Sequence, residues 1–302
     1  MSVDLSHLLA QYRPHALLPD DERIQWIQRD RWIHYSRAEH VLDRLTALLN
    51  CPPRNRMPCL LIFGSTGMGK TQAVQKFVRD HRSSFDETAG RTSLPVVTIQ
   101  MPPAPHERDL YEEIMVAMGG VLVMGLGITT LRHRTRVLAR QLGVRMIIID
   151  EIHSILPGTF REQRIILNAI RFLANDLRIS IVCVGTHDAK QALMTDQQLA
   201  DRFEGIELPR WEDDSTYHQL LSSFSAILPL RCASDLLDIK VRKQILILSE
   251  GVMVRICRLL EAAAIEAIRN RTESIHLGSL NSELIAQSLV SVSDRSSRRV
   301  TG

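Results

Sequence analysis

The chain has 302 residues, of which 45% are hydrophobic, and its formal net charge at pH 7 is only +3. This length and composition predict a globular chain with room for two domains, and the small net charge does not by itself indicate a nucleic-acid partner. The N-terminus has an early acid and no cationic-then-apolar signal, and the longest apolar stretch, 119–128, is too short to cross a bilayer. We therefore expect a soluble, cytoplasmic protein with no membrane partner.

The cysteine pattern agrees with a reducing compartment. No pair has C-x-x-C spacing, and Cys59 and Cys183 lie within apolar runs typical of core strands. We expect all of the cysteines to be reduced, packed thiols.

The chain begins with a polar extension, 1–36, that contains Trp26, Trp32 and Tyr35. A helical pattern of apolar residues follows and ends at Pro52 and Pro53. We place the start of a nucleotide-binding domain, 37–209, at this helix.

A glycine-rich loop follows the apolar run 59–63, which predicts a buried strand. The loop matches G-x-x-x-x-G-K-[ST] at every position, with the residues Gly64, Ser65, Thr66, Gly67, Met68, Gly69, Lys70 and Thr71. Between a strand and a helix, such a loop turns its backbone N–H groups toward phosphate. We expect Lys70 to reach the β- and γ-phosphates and the Thr71 hydroxyl to ligate Mg²⁺, so the predicted ligands are ATP and Mg²⁺.

Continuously apolar strands then alternate with helices. The predicted strands are 95–99, 144–149 and 179–184, and the predicted helices are 70–82, 107–118, 129–142 and 160–175. This alternation is typical of an α/β fold in which a parallel sheet lies between helices.

The helix at 129–142 is rich in arginine. Arg132, Arg136 and Arg140 are spaced by four residues and predict one cationic stripe, with Thr129 and Thr130 at the start of the helix. The stretch contains no acid. Three interpretations explain the cationic stripe: contacts with a DNA backbone, a solvated helix face, or contacts with a neighbouring subunit. No base-reading motif is evident, so any DNA binding should be salt-sensitive and weakly selective for sequence.

The strand at 144–149 ends in two carboxylates, Asp150 and Glu151. The carboxyl end of a strand is where an open α/β sheet binds its ligand, so Asp150 can hold Mg²⁺ through water. Glu151 can then act as general base or orient the attacking water. A solvated strand end is the alternative interpretation of this pair.

The next predicted strand ends near Thr186 and His187, and either side chain could sense the γ-phosphate. A plain strand-to-loop turn is the alternative interpretation of these residues. Further on, Arg202 precedes a short apolar run at the far end of the sheet. It is predicted to be too distant to serve its own nucleotide but able to serve a neighbour's as an arginine finger. A surface ion pair with Asp201 or Glu204 is the alternative.

After residue 210 the pattern is helical only. We place a helical lid at 210–290, whose clearest helix is 252–268, and a disordered basic tail at 291–302.

In this order, the motifs resemble those of AAA+ ATPases. Within that class the chain resembles the TniB/TnsC transposition regulators over about residues 15–270. The stretches that carry the closer resemblance are 32–35, 56–64, 149–153 and 251–256.

The resemblance implies an ATP-dependent oligomer, a ring or a helical filament, that binds double-stranded DNA and recruits or activates a DDE transposase. A TniQ-type targeting protein is a further implied partner. It also implies that Arg255 is the sensor-2 arginine, with Arg258 as a rival because the spacing after Gly251 is one residue longer than usual. Trp32 or Tyr35 would stack on adenine, and ordinary packing of these rings is the alternative. Family members present the arginine-rich helix toward the axis of the ring, where DNA passes.

Two other functions fit the same motifs. One is a helicase loader similar to the IstB and DnaC relatives, and the other is a scaffold in which ATP only locks a conformation. Intact Glu151 and Arg202 argue against the scaffold.

Overall fold

The computed structural model describes residues 4–87, 90–104, 106–194 and 197–280. Contacts divide the chain into two compact units, of which Ala38–Pro209 is one. The other is discontinuous in sequence, because the residues up to Arg37 group with those from Arg210 onward. The predicted tail, 291–302, and the end of the predicted lid lie outside the described residues.

In chain order, the helices and strands are α1 (Arg13–Ala16), α2 (Asp20–Ile27), α3 (Ser36–Leu49), β1 (Cys59–Phe63), α4 (Lys70–Asp80), β2 (Ser84–Asp86), β3 (Arg91–Ser93), β4 (Val96–Gln100), α5 (Glu107–Ala117), α6 (Ile128–Gln141), β5 (Met146–Asp150), a 3-10 turn (Ile152–Ile155), α7 (Phe160–Leu177), β6 (Ser180–Gly185), α8 (Asp188–Met194), α9 (Gln197–Ala200), β7 (Phe203–Glu207), α10 (Ser215–Ile227), α11 (Ile239–Ser249), α12 (Met253–Arg269) and α13 (Leu277–Leu280).

The unit 38–209 contains a five-stranded parallel sheet in the order β4-β5-β6-β1-β7. Its central strands are almost entirely apolar because helices cover both faces of the sheet, and β6 is buried at every position. The predicted α/β fold, with a parallel sheet between helices followed by a helical region, is therefore confirmed.

The register of the sheet determines which loops meet. Cys183 of β6 pairs with Leu61 of β1 on one side and with Ile149 of β5 on the other. Because the strands are parallel, the loops after β1, β5 and β6 leave the sheet at the same edge. The phosphate loop, Asp150 and Thr186 consequently lie together there.

Several features of this unit were not predicted, among them a hairpin and an exposed loop. β2 and β3 form a small antiparallel hairpin outside the main sheet. The apolar stretch that begins at residue 119 is an exposed loop up to Gly127, in which the Val121 and Met124 side chains are 79% and 96% exposed.

The other unit joins the N-terminal segment to the last helices. Arg23 is fully buried and donates to both carboxylate oxygens of Glu273 at 2.7 Å and to the Pro229 carbonyl at 3.2 Å. A buried guanidinium charge needs a paired carboxylate, so this cluster attaches the segment before residue 38 to the helices after residue 210. No helix in the described residues has the length and apolar character needed to cross a bilayer.

Candidate functional site

The phosphate loop adopts a backbone that only glycine accommodates. Gly64 has φ of 153°, and a Cβ there would lie 2.4 Å from the Leu208 carbonyl oxygen. Gly69 has φ of 87° and is the N-cap of α4. These glycines allow the chain to turn sharply from β1 into α4, so that the free N–H groups at the start of α4 face the loop.

Lys70 is held inside the phosphate loop. It is 6% exposed, and its Nζ donates to the carbonyls of Gly64 and Ser65 at 2.9 Å each. Burial lowers the pKa of Lys70, and the nearby carboxylates of Glu151 and Asp150 oppose that shift. The ammonium and the two carboxylates therefore occupy one electrostatic site.

The Thr71 hydroxyl donates to Asp150 Oδ2 at 2.8 Å. A hydroxyl and a carboxylate at this separation are the oxygen donors that Mg²⁺ prefers beside a phosphate. The described side chains thus fit a magnesium ion bound with a nucleotide.

Glu151 follows Asp150 in a left-handed conformation, with φ of 56°. For a residue with a side chain this backbone costs about 1–3 kcal/mol, and such strain is concentrated at functional sites. The Glu151 carboxylate is 39% exposed and lies 3.2 Å from Nε2 of His153. Glu151 is therefore accessible at the ligand edge of the sheet, as a residue that acts on water must be.

Thr186 and His187 both lie at this edge. The Thr186 backbone N–H donates to His153 Nδ1 at 3.4 Å. His187 is 53% exposed, with its ring 5.8 Å from that of Phe63 and its Nδ1 4.0 Å from Glu207. Both remain candidates for sensing the γ-phosphate, and Thr186 is the one joined to the Glu151 region.

Arg202 lies at the opposite end of the sheet. Its carbonyl accepts from the Cys59 backbone N–H at the start of β1, whereas the phosphate loop begins after Phe63. The length of β1 separates the two, about 13 Å at about 3.3 Å per residue. Arg202 donates to Asn175 Oδ1 at 2.7 Å, and Glu204 pairs with Arg44.

The three arginines of the predicted stripe are paired in the folded chain. Arg132 donates to both carboxylate oxygens of Glu107 at 2.8 and 2.6 Å, and Arg136 pairs with Asp176 at 3.0 Å. Arg140 also pairs with Asp176. The stretch itself contains no acid, but the carboxylates of Glu107 in α5 and Asp176 in α7 lie beside its arginines in the folded chain. The predicted stripe is thus a row of ion pairs, and the more open face of the first turns of α6 consists of Thr129, Thr130, His133 and Arg134.

Arg255, Trp32 and Tyr35 belong to the other unit. Arg255 pairs with Glu250 at 2.7 Å, and its rival Arg258 is exposed. Tyr35 is 7% exposed, with its ring 5.5 Å from that of Trp211. The Trp32 indole Nε1 is buried and has no hydrogen-bond partner in the described part of the chain.

One residue of the site was not assigned a role from sequence. His153 entered only as part of the family stretch 149–153, yet its ring touches both Glu151 and the Thr186 backbone. The sequence shows that His153 lies three residues after Asp150. It does not predict the contact with Thr186, because that contact depends on the pairing of β5 with β6.

The fold and the phosphate loop define a P-loop protein of the AAA+ class. Among solved structures, the chain resembles Aeropyrum pernix Orc1 in complex with DNA, with a TM-score of 0.56 and 19% identity over 90% of this chain and 67% of that one. The chain also resembles Aeropyrum pernix ORC2 in its ADPNP–ADP complexes, with a TM-score of 0.58 and 17% identity over 88% of this chain and 72% of that one. For Pyrobaculum aerophilum Cdc6p the TM-score is 0.57, with 17% identity over 83% of this chain and 68% of that one. At these identities the likeness establishes the fold alone.

The family model described as bacterial TniB protein matches residues 23–213. The chain belongs to the TniB family, which confirms the resemblance stated from its sequence motifs. No curated protein matches the chain.

Proposed function

We propose that this protein is an ATP-dependent transposition regulator that assembles on double-stranded DNA and recruits or activates a DDE transposase. The observation that carries the proposal is the convergence of Lys70, Thr71, Asp150 and Glu151 at one edge of the sheet in a member of the TniB family. A TniQ-type protein is a further partner that family membership supports.

Each residue of the site has a distinct task in ATP hydrolysis. The loop N–H groups and Lys70 bind the β- and γ-phosphates, and Thr71 and Asp150 hold Mg²⁺, directly or through water. When bound, Mg²⁺ neutralises charge that develops on the phosphate oxygens. Glu151 accepts a proton from the attacking water or orients it, and Thr186 or His187 contacts the γ-phosphate.

Arg202 is proposed to act on the nucleotide of a neighbouring subunit. Its place at the end of the sheet remote from its own phosphate loop supports this role, since the side chain cannot span the length of β1. The active oligomer, a ring or a filament, would therefore need contact between subunits to complete each site.

The surface proposed for DNA is the start of α6. Thr129 and Thr130 are exposed there beside Arg134, and hydroxyls, free N–H groups and a guanidinium suit phosphate oxygens. Arg132, Arg136 and Arg140 would bind a DNA backbone most closely by exchanging their carboxylate partners for phosphate. In the other unit, Arg255 is proposed to sense the nucleotide, and Trp32, which is less buried than Tyr35, is favoured for stacking on adenine.

The experiment compares the unmodified protein with Lys70→Ala. ATP binding is measured by calorimetry, and assembly on duplex DNA with an ATP analogue is measured by electron microscopy. We expect both to be lost in the variant, and normal assembly would refute the phosphate-loop assignment. Lys76→Ala, farther along α4, is the matched control.

A role as helicase loader would give a different result. A loader stimulates loading of a replicative helicase on a fork, whereas a transposition regulator stimulates strand transfer by a transposase. Family membership supports the second outcome.

A further inference from the structure

We propose that His153 is a positioning residue that links the carboxylate of Glu151 to the end of β6 at Thr186. The proposal rests on the proposed function, because it concerns the residue assigned to activate water. It adds a physical connection between that residue and the strand end that faces the γ-phosphate.

The two contacts of the His153 ring determine its hydrogen-bonding roles. The backbone N–H of Thr186 is a donor only, so Nδ1, 3.4 Å from it, must act as an acceptor. In the neutral ring the proton is then on Nε2, which lies 3.2 Å from Glu151 Oε2 and donates to it. One ring therefore accepts from Thr186, just after β6, and donates to Glu151.

The space for this ring is provided by Gly185, the last residue of β6. A Cβ at Gly185 would lie 2.9 Å from His153 Nδ1 and 2.8 Å from the Ala189 Cβ. Only a residue without a side chain permits the ring to approach the strand so closely. The 3-10 turn that begins at Ile152 brings His153 back over the strand end.

The link gives Glu151 a defined orientation. Its carboxylate is 39% exposed and would otherwise be free to rotate, whereas a donor on Oε2 leaves Oε1 to accept from water. Thr186 lies where the γ-phosphate is expected. A displacement of its N–H would therefore move the His153 ring and, with it, the carboxylate of Glu151. His153 would thus hold Glu151 in its productive orientation only while the end of β6 is in place.

Substitutions can break the two contacts separately. In His153→Gln the amide reaches the Nε2 position and can donate to Glu151, but the Nδ1 acceptor is lost. In His153→Asn the amide oxygen replaces Nδ1 beside Thr186, but nothing reaches Glu151. His153→Phe fills the space and makes neither contact, and Ser154→Ala, in the same 3-10 turn, is the matched control.

Steady-state ATP turnover and nucleotide affinity are measured for the full chain on duplex DNA. We expect His153→Phe to lower kcat about tenfold or more, the usual effect of losing a supporting hydrogen bond, with KM for ATP within about twofold of the unmodified protein. His153→Asn should be as slow as His153→Phe, and His153→Gln should be faster than both.

A second readout separates positioning from simple packing. In a Glu151→Gln background, His153→Phe should lower kcat no further, because the carboxylate that the ring orients is gone. The proposal is overturned by a further drop there, by His153→Asn turning over faster than His153→Gln, or by His153→Phe within about twofold of the unmodified protein. If His153→Phe fails to fold, the comparison of Asn with Gln decides. Absence of turnover in the unmodified protein would overturn the proposed function as well, whereas normal turnover with an unaffected variant overturns only the role of His153.

Discussion

The Thr71 hydroxyl donates a 2.8 Å hydrogen bond to the carboxylate of Asp150, although β2, β3, β4, α5 and α6 separate the two residues in sequence. The bond exists because β6 lies between β1 and β5 and aligns their carboxyl ends. It joins the two sequence motifs that predicted nucleotide binding into one site.

Removing the Thr71 hydroxyl should weaken binding of the magnesium complex of ATP and spare binding of the free nucleotide. We expect Thr71→Val to raise the Kd for ATP about tenfold in Mg²⁺, equivalent to about 1.4 kcal/mol, because one oxygen donor is lost. Calorimetry with Mg²⁺ and with EDTA measures the difference. An equal effect in both conditions would show that Thr71 contributes to packing and not to the metal site.

Replacing Glu151 with Gln should separate binding from hydrolysis. The amide keeps the shape but cannot accept a proton, so turnover should fall by about 10²–10⁴-fold while ATP affinity is retained. Assembly on DNA should persist for longer, as seen by electron microscopy after addition of ATP. Unchanged turnover would remove Glu151 from the mechanism.

Arg202→Ala should abolish hydrolysis but not ATP binding, and the defect should be rescued in mixtures. In a mixed assembly with Glu151→Gln, some sites combine the intact Glu151 of one subunit with the intact Arg202 of its neighbour. Turnover of the mixture should exceed that of either variant alone. Arg44→Ala, which breaks the nearby pair with Glu204, is the control and should be active by itself. No recovery in the mixture would argue against action in trans.

Two arginines of α6 should differ in their effect on DNA binding. Arg134 is exposed, so Arg134→Ala should weaken binding similarly for all sequences and reduce the salt slope, log Kobs against log[salt], by about 1. Arg136 is 22% exposed and pairs with Asp176, so Arg136→Ala should mainly lower the free energy of unfolding. Salt titrations of DNA affinity and thermal unfolding measure the two effects. A larger loss of DNA affinity for Arg136→Ala would mean that the ion pairs of α6 open on DNA.

The thiols should react at very different rates. Burial raises the pKa of Cys59 to about 11 and that of Cys257 to about 12, and it also raises the pKa of the fully buried Cys183. Since the thiolate is the reactive form and its fraction falls as the pKa rises, these three should not react with Ellman's reagent at pH 8 until the protein unfolds. Cys232 is exposed and should react at once. Rapid reaction of more than two of the five thiols in the native protein would contradict this prediction.

Local sequence was sufficient to predict the elements whose signals are short in range. The phosphate loop follows a continuous apolar strand, and β5 ends where the carboxylates Asp150 and Glu151 begin. The helix α12 has the apolar spacing of 252–268. Each of these elements depends on residues that are neighbours in sequence and on burial of apolar side chains. The spacing of apolar residues along the chain therefore predicts them.

The missed features depend on residues that are distant in sequence. The arginines of α6 have no acid near them in the chain, but Glu107 and Asp176 come from other helices. The burial of Arg23 was not predicted from the polar N-terminal extension, because it requires Glu273, which is 250 residues away in sequence.

The sequence by itself determined the family, the parallel α/β fold and the chemical identity of the phosphate site, because these depend on local motifs and on strand hydrophobicity. Only the tertiary structure decided which charges are neutralised, that Arg202 lies a strand's length from its own phosphate loop, and that the His153 ring lies between Glu151 and Thr186. These relationships follow from strand order and register, which bring together side chains whose spacing in sequence carries no signal.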